Sequence, residues 1–357
     1  MDGLAGRRIL TVGETTYTWE DLVLYGHLSG DWATLRERAA AGLACVARLE
    51  ALDADDPDVP DDDEIDAAAA EFRYARDLVA ADEMEAWLAR RGLDGDAWGD
   101  WVTRAVLLQK WADDLDAIVE AFPADPGSVQ AAMECEALCT GVASSLASRL
   151  AGRAAIHARL LADGDGDIPG PDAAALVDQV AESRLDKGLA GVPGPACRAR
   201  LEHLARLELA WRRFAARHVS PSALHSLVDV HRLDWVRLAV RTVVVADRDR
   251  ANEILLCVRD DGRDLAGVAA ELGVPVTDSR WYLDETDERL RPQLLAARPG
   301  DLLGPLPCEE GFLLLAVTAK ALPIETDPDI RHRAERALLD RLVAREIEDR
   351  VTWHESL

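Results

Sequence analysis

Apolar residues recur at helical spacing through most of this chain. In "ATLRERAAAGLACVARLEALDA" they return every three to four residues, which predicts an amphipathic helix. It stops at "DADDPDVPDDDE", an acidic, proline-interrupted loop. From about residue 63 to 233 the same period continues. It predicts one long helix over "DAWGDWVTRAVLLQKWADDLDAIVEAF" and another over "SVQAAMECEALCTGVASSLASRLAGRAAIHARLL". Further helices follow over "AAALVDQVAESRLDKGLA" and "PACRARLEHLARLELAWRRFAARHV", then one from Ser220-Pro221, a good cap and first-turn pair. Ahead of these, Ile9, Leu10 and Val12 predict a strand, Gly13-Glu14 a turn, and Thr18 a helix cap.

After Trp235 the period changes. "VRLAVRTVVVAD" reads as a strand, "RDRANEILLCVRDDG" and "DLAGVAAELG" as helices, and "SRWYLDET" as extended. "LRPQLLAAR" is a short helix and "GPLPCEEGFLLLAV" a turn-linked strand pair. The chain closes in a helix with a broad apolar stripe: Ile330, Ala334, Ala337, Leu338, Leu342, Ala344, Ile347 and Val351. The fold class this predicts is mainly α with a small α+β domain.

At 357 residues the chain is long enough for two or three cores. A net charge of -26 excludes a nucleic-acid partner, which Lys and Arg would bind, and an anionic membrane surface. No run approaches the roughly 18 apolar residues of a membrane span, and the N-terminus lacks the apolar core of a signal peptide. The expected compartment is the cytoplasm. Cys135 and Cys139 share a helix face in "CEALC", but no second pair completes a metal site, so no metal or cofactor is expected.

"DGDGDI" sets Asp163, Asp165 and Asp167 at calcium-loop spacing. Ile168 stands where that loop needs Gly, and Ala174 where it needs Glu, so it reads as an acidic interhelical loop. His203, His225 and His231 are candidates for acid–base work, and no nucleophile motif accompanies them. Trp87, Trp98, Trp101 and Trp111 recur through the first helical region, where such residues pack helices together or line a peptide groove.

The order of elements carries a resemblance. The β-turn-helix start followed by "FRYARDLVAADEMEAWLARRGLDGDAWGDWVTRAVLLQKW" resembles the helical chaperone segment of SurA-type peptidyl-prolyl isomerases. Residues 236 to 322, with "GDLLGPL" and "GF", resemble a parvulin domain. The resemblance implies a SurA-like helical peptide-binding region over 1–233, a parvulin-like domain over 234–324, and a C-terminal helix, 325–357, that packs back on the N-terminal region.

Active parvulins carry two histidines at the twisted prolyl amide. At the matching positions this chain has Thr242 and Leu313. The resemblance therefore implies an apolar concavity lined by Thr242, Trp281, Tyr282, Leu290, Leu294, Phe312 and Leu313, which binds peptide without turning it over efficiently. The chain also resembles isomerase-like proteins that accompany maturation of ribosomally made, modified peptides, including lanthipeptides. The partner so implied is an unstructured precursor peptide, together with its modifying enzymes. The alternatives are a catalytic subunit of a peptide-modifying synthase, forming thioether rings for example, and a weak prolyl isomerase.

Overall fold

The computed structural model describes residues 4, 6–53, 56–184, 195–308 and 310–354. The chain is mainly α, with two small antiparallel sheets, and divides into two compact units. The first comprises residues 1–215 and 342–357, and the second 216–341. The second unit is thus inserted into the sequence of the first.

The first unit opens with the hairpin β1 (Arg8–Val12) and β2 (Thr15–Thr18). Ten helices follow: α1 (Trp19–Ser29), α2 (Asp31–Ala51), α3 (Asp62–Tyr74), α4 (Ala81–Arg91), α5 (Gly95–Lys110), α6 (Leu115–Ala121), α7 (Pro126–Cys139), α8 (Val142–Ala162), α9 (Gly170–Arg184) and α10 (Pro195–His218). Thr18 caps α1 as its position predicts, its N–H donating to Asp21 Oδ2 at 2.8 Å. The main core joins Ile9, Leu10 and Tyr17 of the hairpin to Trp32, Met133, Leu146, Leu150 and Leu204 of the helices.

Two long helices expected from periodicity are broken. Gly141, at φ +78°, ends the run between α7 and α8, a left-handed geometry that a glycine adopts without strain. Trp111 leaves helical geometry at the end of α5, before a short 3₁₀ turn and α6. Apolar periodicity is blind to both breaks because the stripe resumes in phase. The helix expected over 173–190 is described as far as Arg184, and the rest of it lies outside the described residues.

The second unit contains α11 (Pro221–Val230), β3 (Arg237–Val245), α12 (Arg248–Arg259), α13 (Leu265–Glu271), β4 (Val276–Tyr282), α14 (Arg291–Ala296), β5 (Leu302–Cys308) and β6 (Gly311–Ala321). Its sheet runs β4-β3-β6-β5. A side chain at Gly311, φ +129°, would strike the carbonyl oxygen of Val245, so only glycine fits where β6 begins. The helix α11, grouped by periodicity with the region before 233, packs inside this unit through Leu224 and Val228 on Trp235, Ile330 and Ala334.

The last helix, α15 (Pro328–Arg350), belongs to the second unit up to Arg341 and to the first from Leu342. Its stripe divides accordingly. Ile330, Ala334, Ala337 and Leu338 pack with Trp235, whereas Leu342 and Val343 pack on Ile156, Leu160 and Phe214. Ala344, placed in the stripe by its spacing, is exposed, and Val343 makes the contact instead. A terminal strand, β7 (Val351–Trp353), which periodicity does not reveal, pairs antiparallel with β1 (Leu10↔Trp353, Val12↔Val351). Glu346 is buried and accepts from Arg159 at 2.5 Å and Arg350 at 2.9 Å. Burial alone would raise its pKa, but the hydrogen bonds from Arg350 and Arg159 hold it below the usual carboxylate range.

Gly152 of α8 lies against Val343, where an added Cβ would sit 2.7 Å from Val343 Cγ1. Helix propensity favours Ala over Gly by about 1 kcal/mol, yet overpacking a β-branched neighbour costs about 1–3 kcal/mol. Gly152→Ala should therefore lower the thermal midpoint. Adding Val343→Ala should recover part of the loss, as read in thermal melts of the single and double variants.

Candidate functional site

Strand alternation gives the sheet of the second unit two faces. Val243, Val245 and Leu314 face α12 and α13, packed on Ala251, Ile254, Leu265 and Val268. Leu238, Val240, Leu315 and Val317 face the other way, where Leu283, Leu294 and Ala297 cover one end. Trp281, Leu290 and Leu294 pack on this second face as part of its core. Thr242 and Leu313 share it by alternation from Val240 and Leu315.

Two residues of the expected lining lie elsewhere. Phe312 packs into the core under α12 and α13, because consecutive strand residues cannot both face one side. Tyr282 packs near Trp235 and Ala337, under the Arg333 guanidinium at 4.4 Å from its ring centroid. Thr242, Trp281, Leu290, Leu294 and Leu313 thus share one face of the sheet, with Leu294 itself buried there. Ser279, opposite Val240, lies on it too. The Thr242 hydroxyl donates to the carbonyl of Thr277 at 3.2 Å, so its proton is held by the sheet. Arg241, on the opposite face, grips Asp278 through two bonds of 2.9 and 3.2 Å.

The histidine candidates do not form one centre. His203 is half-buried in the first unit, its Nε2 3.1 Å from the Tyr17 hydroxyl and its ring edge-on to His157. On α11, His225 meets Asp229 and Glu325, at 3.3 and 3.2 Å. His231 bonds Asp234 at 3.2 Å and stacks on Trp235, with centroids 4.6 Å apart. At the calcium-like loop, the carbonyls of Asp165 and Asp167 accept from Arg213 Nη1 at 3.3 and 3.2 Å, so a guanidinium occupies that place.

The first unit also carries an open groove. Between α3 and α5 lies a groove made of two adjoining cavities of about 400 and 470 Å³, which share Ala68, Glu71, Val106 and Gln109. Small residues open it: Ala67 and Ala68 on α3, Ala75 just past its end, and Ala105 on α5. Phe72 and Trp101 wall one end, with ring centroids 5.1 Å apart. Trp101 is fixed by donating to Glu136 Oε2 at 3.0 Å, a buried carboxylate that also takes Arg38 at 2.5 Å. The Arg76 guanidinium lies over Phe72 at 3.8 Å and donates to the Cys139 carbonyl. The sequence signal for this groove is the alanine run "DAAAAEF"; of Trp87, Trp98, Trp101 and Trp111, named together from their spacing, Trp101 is the one that lines it.

No protein-family profile matches this chain, and no curated protein matches it. Solved structures similar to it include three PrsA proteins. The peptidylprolyl isomerase PrsA of Bacillus cereus is 14% identical over 64% of this chain and 88% of that one, at a TM-score of 0.35. PrsA of Bacillus anthracis is 14% identical over 56% and 94%, at 0.30. The foldase protein PrsA of Streptococcus pneumoniae is 14% identical over 58% and 84%, at 0.26. No helix among the described residues is long and apolar enough to cross a membrane.

The half-buried imidazoles of the first unit set a pH dependence. Burial and then Arg36 push His27 down to about 4; burial followed by neighbouring charge also lowers His157 and His203. The unfolded chain binds these protons near pH 6.5, before the folded one does. Stability should therefore fall as pH drops from about 6.5 towards 4. Urea midpoints measured at pH 7.5 and 5 should show the drop, and His203→Gln should lessen it.

Proposed function

We propose that this protein is an isomerase-like, peptide-binding maturation protein, which holds an unstructured, ribosomally made precursor peptide for its modifying enzymes. The observation that carries this reading is the α3–α5 groove. It has an alanine and valine floor, an aromatic wall and a rim of Glu71, Gln109 and Arg76, the composition that takes apolar side chains of an extended segment. The sheet face that carries Thr242 and Leu313 supports it. Apolar Leu313 and a hydrogen-bonded Thr242 stand there where the parvulin resemblance places catalytic histidines.

The dispersed histidines do not favour the synthase alternative. His203 bonds Tyr17, while His225 and His231 each face carboxylates of their own unit, so no acid–base pair converges on a cavity common to them.

Fluorescence anisotropy of a labelled, unstructured precursor peptide titrated with the protein tests the reading. Saturable binding is expected, weakened about tenfold or more by Ala105→Glu, which places a charge on the apolar floor. Binding unaffected by Ala105→Glu removes the groove from the account, and no binding at tens of micromolar removes the function. In a protease-coupled assay on a proline tetrapeptide, the rate should match the uncatalysed one, with its time of tens to hundreds of seconds.

A further inference from the structure

A separate cavity of the first unit, of about 260 Å³, reverses the sign of the molecule. Helix α8 contributes Arg149 and Arg153, one turn apart, and α10 contributes Glu208 and Arg212 at the same spacing. Tyr25, Leu28 and Ser29 come from α1, and Leu176 from α9. Three guanidiniums thus line a hollow with one carboxylate, in a chain whose net charge is -26. Asp31, which pairs with Arg149 Nη2 at 2.7 Å, still leaves three positive charges against two negative.

Much of the donor capacity there is unspent. A guanidinium carries five N–H donors. Glu208 takes one from Arg153 Nε at 3.3 Å and one from Arg212 Nε at 3.2 Å. The Arg153 guanidinium is held over the Trp211 ring, 4.0 Å from its centroid. Arg149 Nε is buried and has no hydrogen-bond partner among the described residues. Tyr25, whose ring lines the cavity, is 2% exposed. Its hydroxyl lies amid Arg153, Glu208, Arg149 and Asp31, and burial raises its pKa, which keeps it a neutral donor.

We propose that this cavity binds the phosphoryl group of a small phosphorylated molecule, held by Arg149, Arg153, Arg212 and the Tyr25 hydroxyl. Guanidinium forks match phosphate oxygens, and their charge-assisted bonds are the strong ones. The donors arrive from α1, α8 and α10, three directions that suit a tetrahedral group better than a planar carboxylate. The cavity exceeds the volume of phosphate alone, and Leu28 and Leu176 offer an apolar side for a small organic body. This site is independent of the peptide groove, so either can fail without the other.

The test is calorimetric titration of the full chain with inorganic phosphate and with pyrophosphate at constant ionic strength, with acetate and citrate as the carboxylate arms. Saturable one-to-one binding of a phosphate probe is expected, weakened about tenfold by Arg212→Ala and by Tyr25→Phe. Arg232→Ala, at an exposed position of the second unit, should leave it unchanged. Arg212 is largely exposed, so its variant keeps the fold, and a matching circular dichroism melt verifies that. No saturable heat from either phosphate probe at about 20 mM would overturn the proposal. So would binding that both variants keep at wild-type strength, or citrate binding more tightly than pyrophosphate.

Discussion

The docking of residues 342–354 onto the rest of the first unit is the constraint on which the rest depends. The second unit is inserted between Ala215 and Leu342, so the first unit's core is complete only when the end of the chain has come back. Three kinds of interaction hold it. β7 extends the β1–β2 hairpin by backbone hydrogen bonds; Leu342, Val343 and Ile347 bury apolar surface; and Glu346 places a buried carboxylate between Arg159 and Arg350. The carboxylate makes the docking specific as well as favourable, because a buried charge without its partners is costly. Gly152 is the complementary concession on α8, a missing side chain where Val343 needs room.

The same economy shapes the groove of the first unit. A helix pair closes on itself when large apolar residues meet, and α3 avoids this by presenting alanines to α5. Stability is recovered nearby. Glu136 ties α7 to Trp101 of α5 and Arg38 of α2, and Arg76 caps the Phe72 ring. The alanine floor and the rigid frame are therefore made by different residues, so variants of the floor need not unfold the protein. The arginine-lined cavity between α8 and α10 follows the opposite rule. There charge accumulates without full compensation, in a chain that is otherwise strongly acidic.

The amphipathic period, the β-branched run "RTVVV" and the capping residues were enough to read the fold class, because each acts on neighbours a few residues away. Thr18, the α11 start at Pro221 and the β5–β6 pair are local features and were legible. The breaks at Trp111 and Gly141 were not, since the apolar stripe continues in phase across them. Nor was β7: three residues, Val351–Trp353, carry no periodicity, and only β1 gives them a partner.

The candidate site divides along the same line. The sequence by itself determined a mainly helical, acidic chain with an apolar-faced sheet and no histidine at Thr242 or Leu313. Tertiary structure alone decided that Phe312 and Leu313 face opposite sides, that Tyr282 joins Trp235, and that His203, His225 and His231 stay apart. It also decided which alanines line a groove and which arginines meet around Tyr25. The reason is physical: periodicity fixes which side of an element is apolar, but what that side meets is set by contacts between residues far apart in the chain.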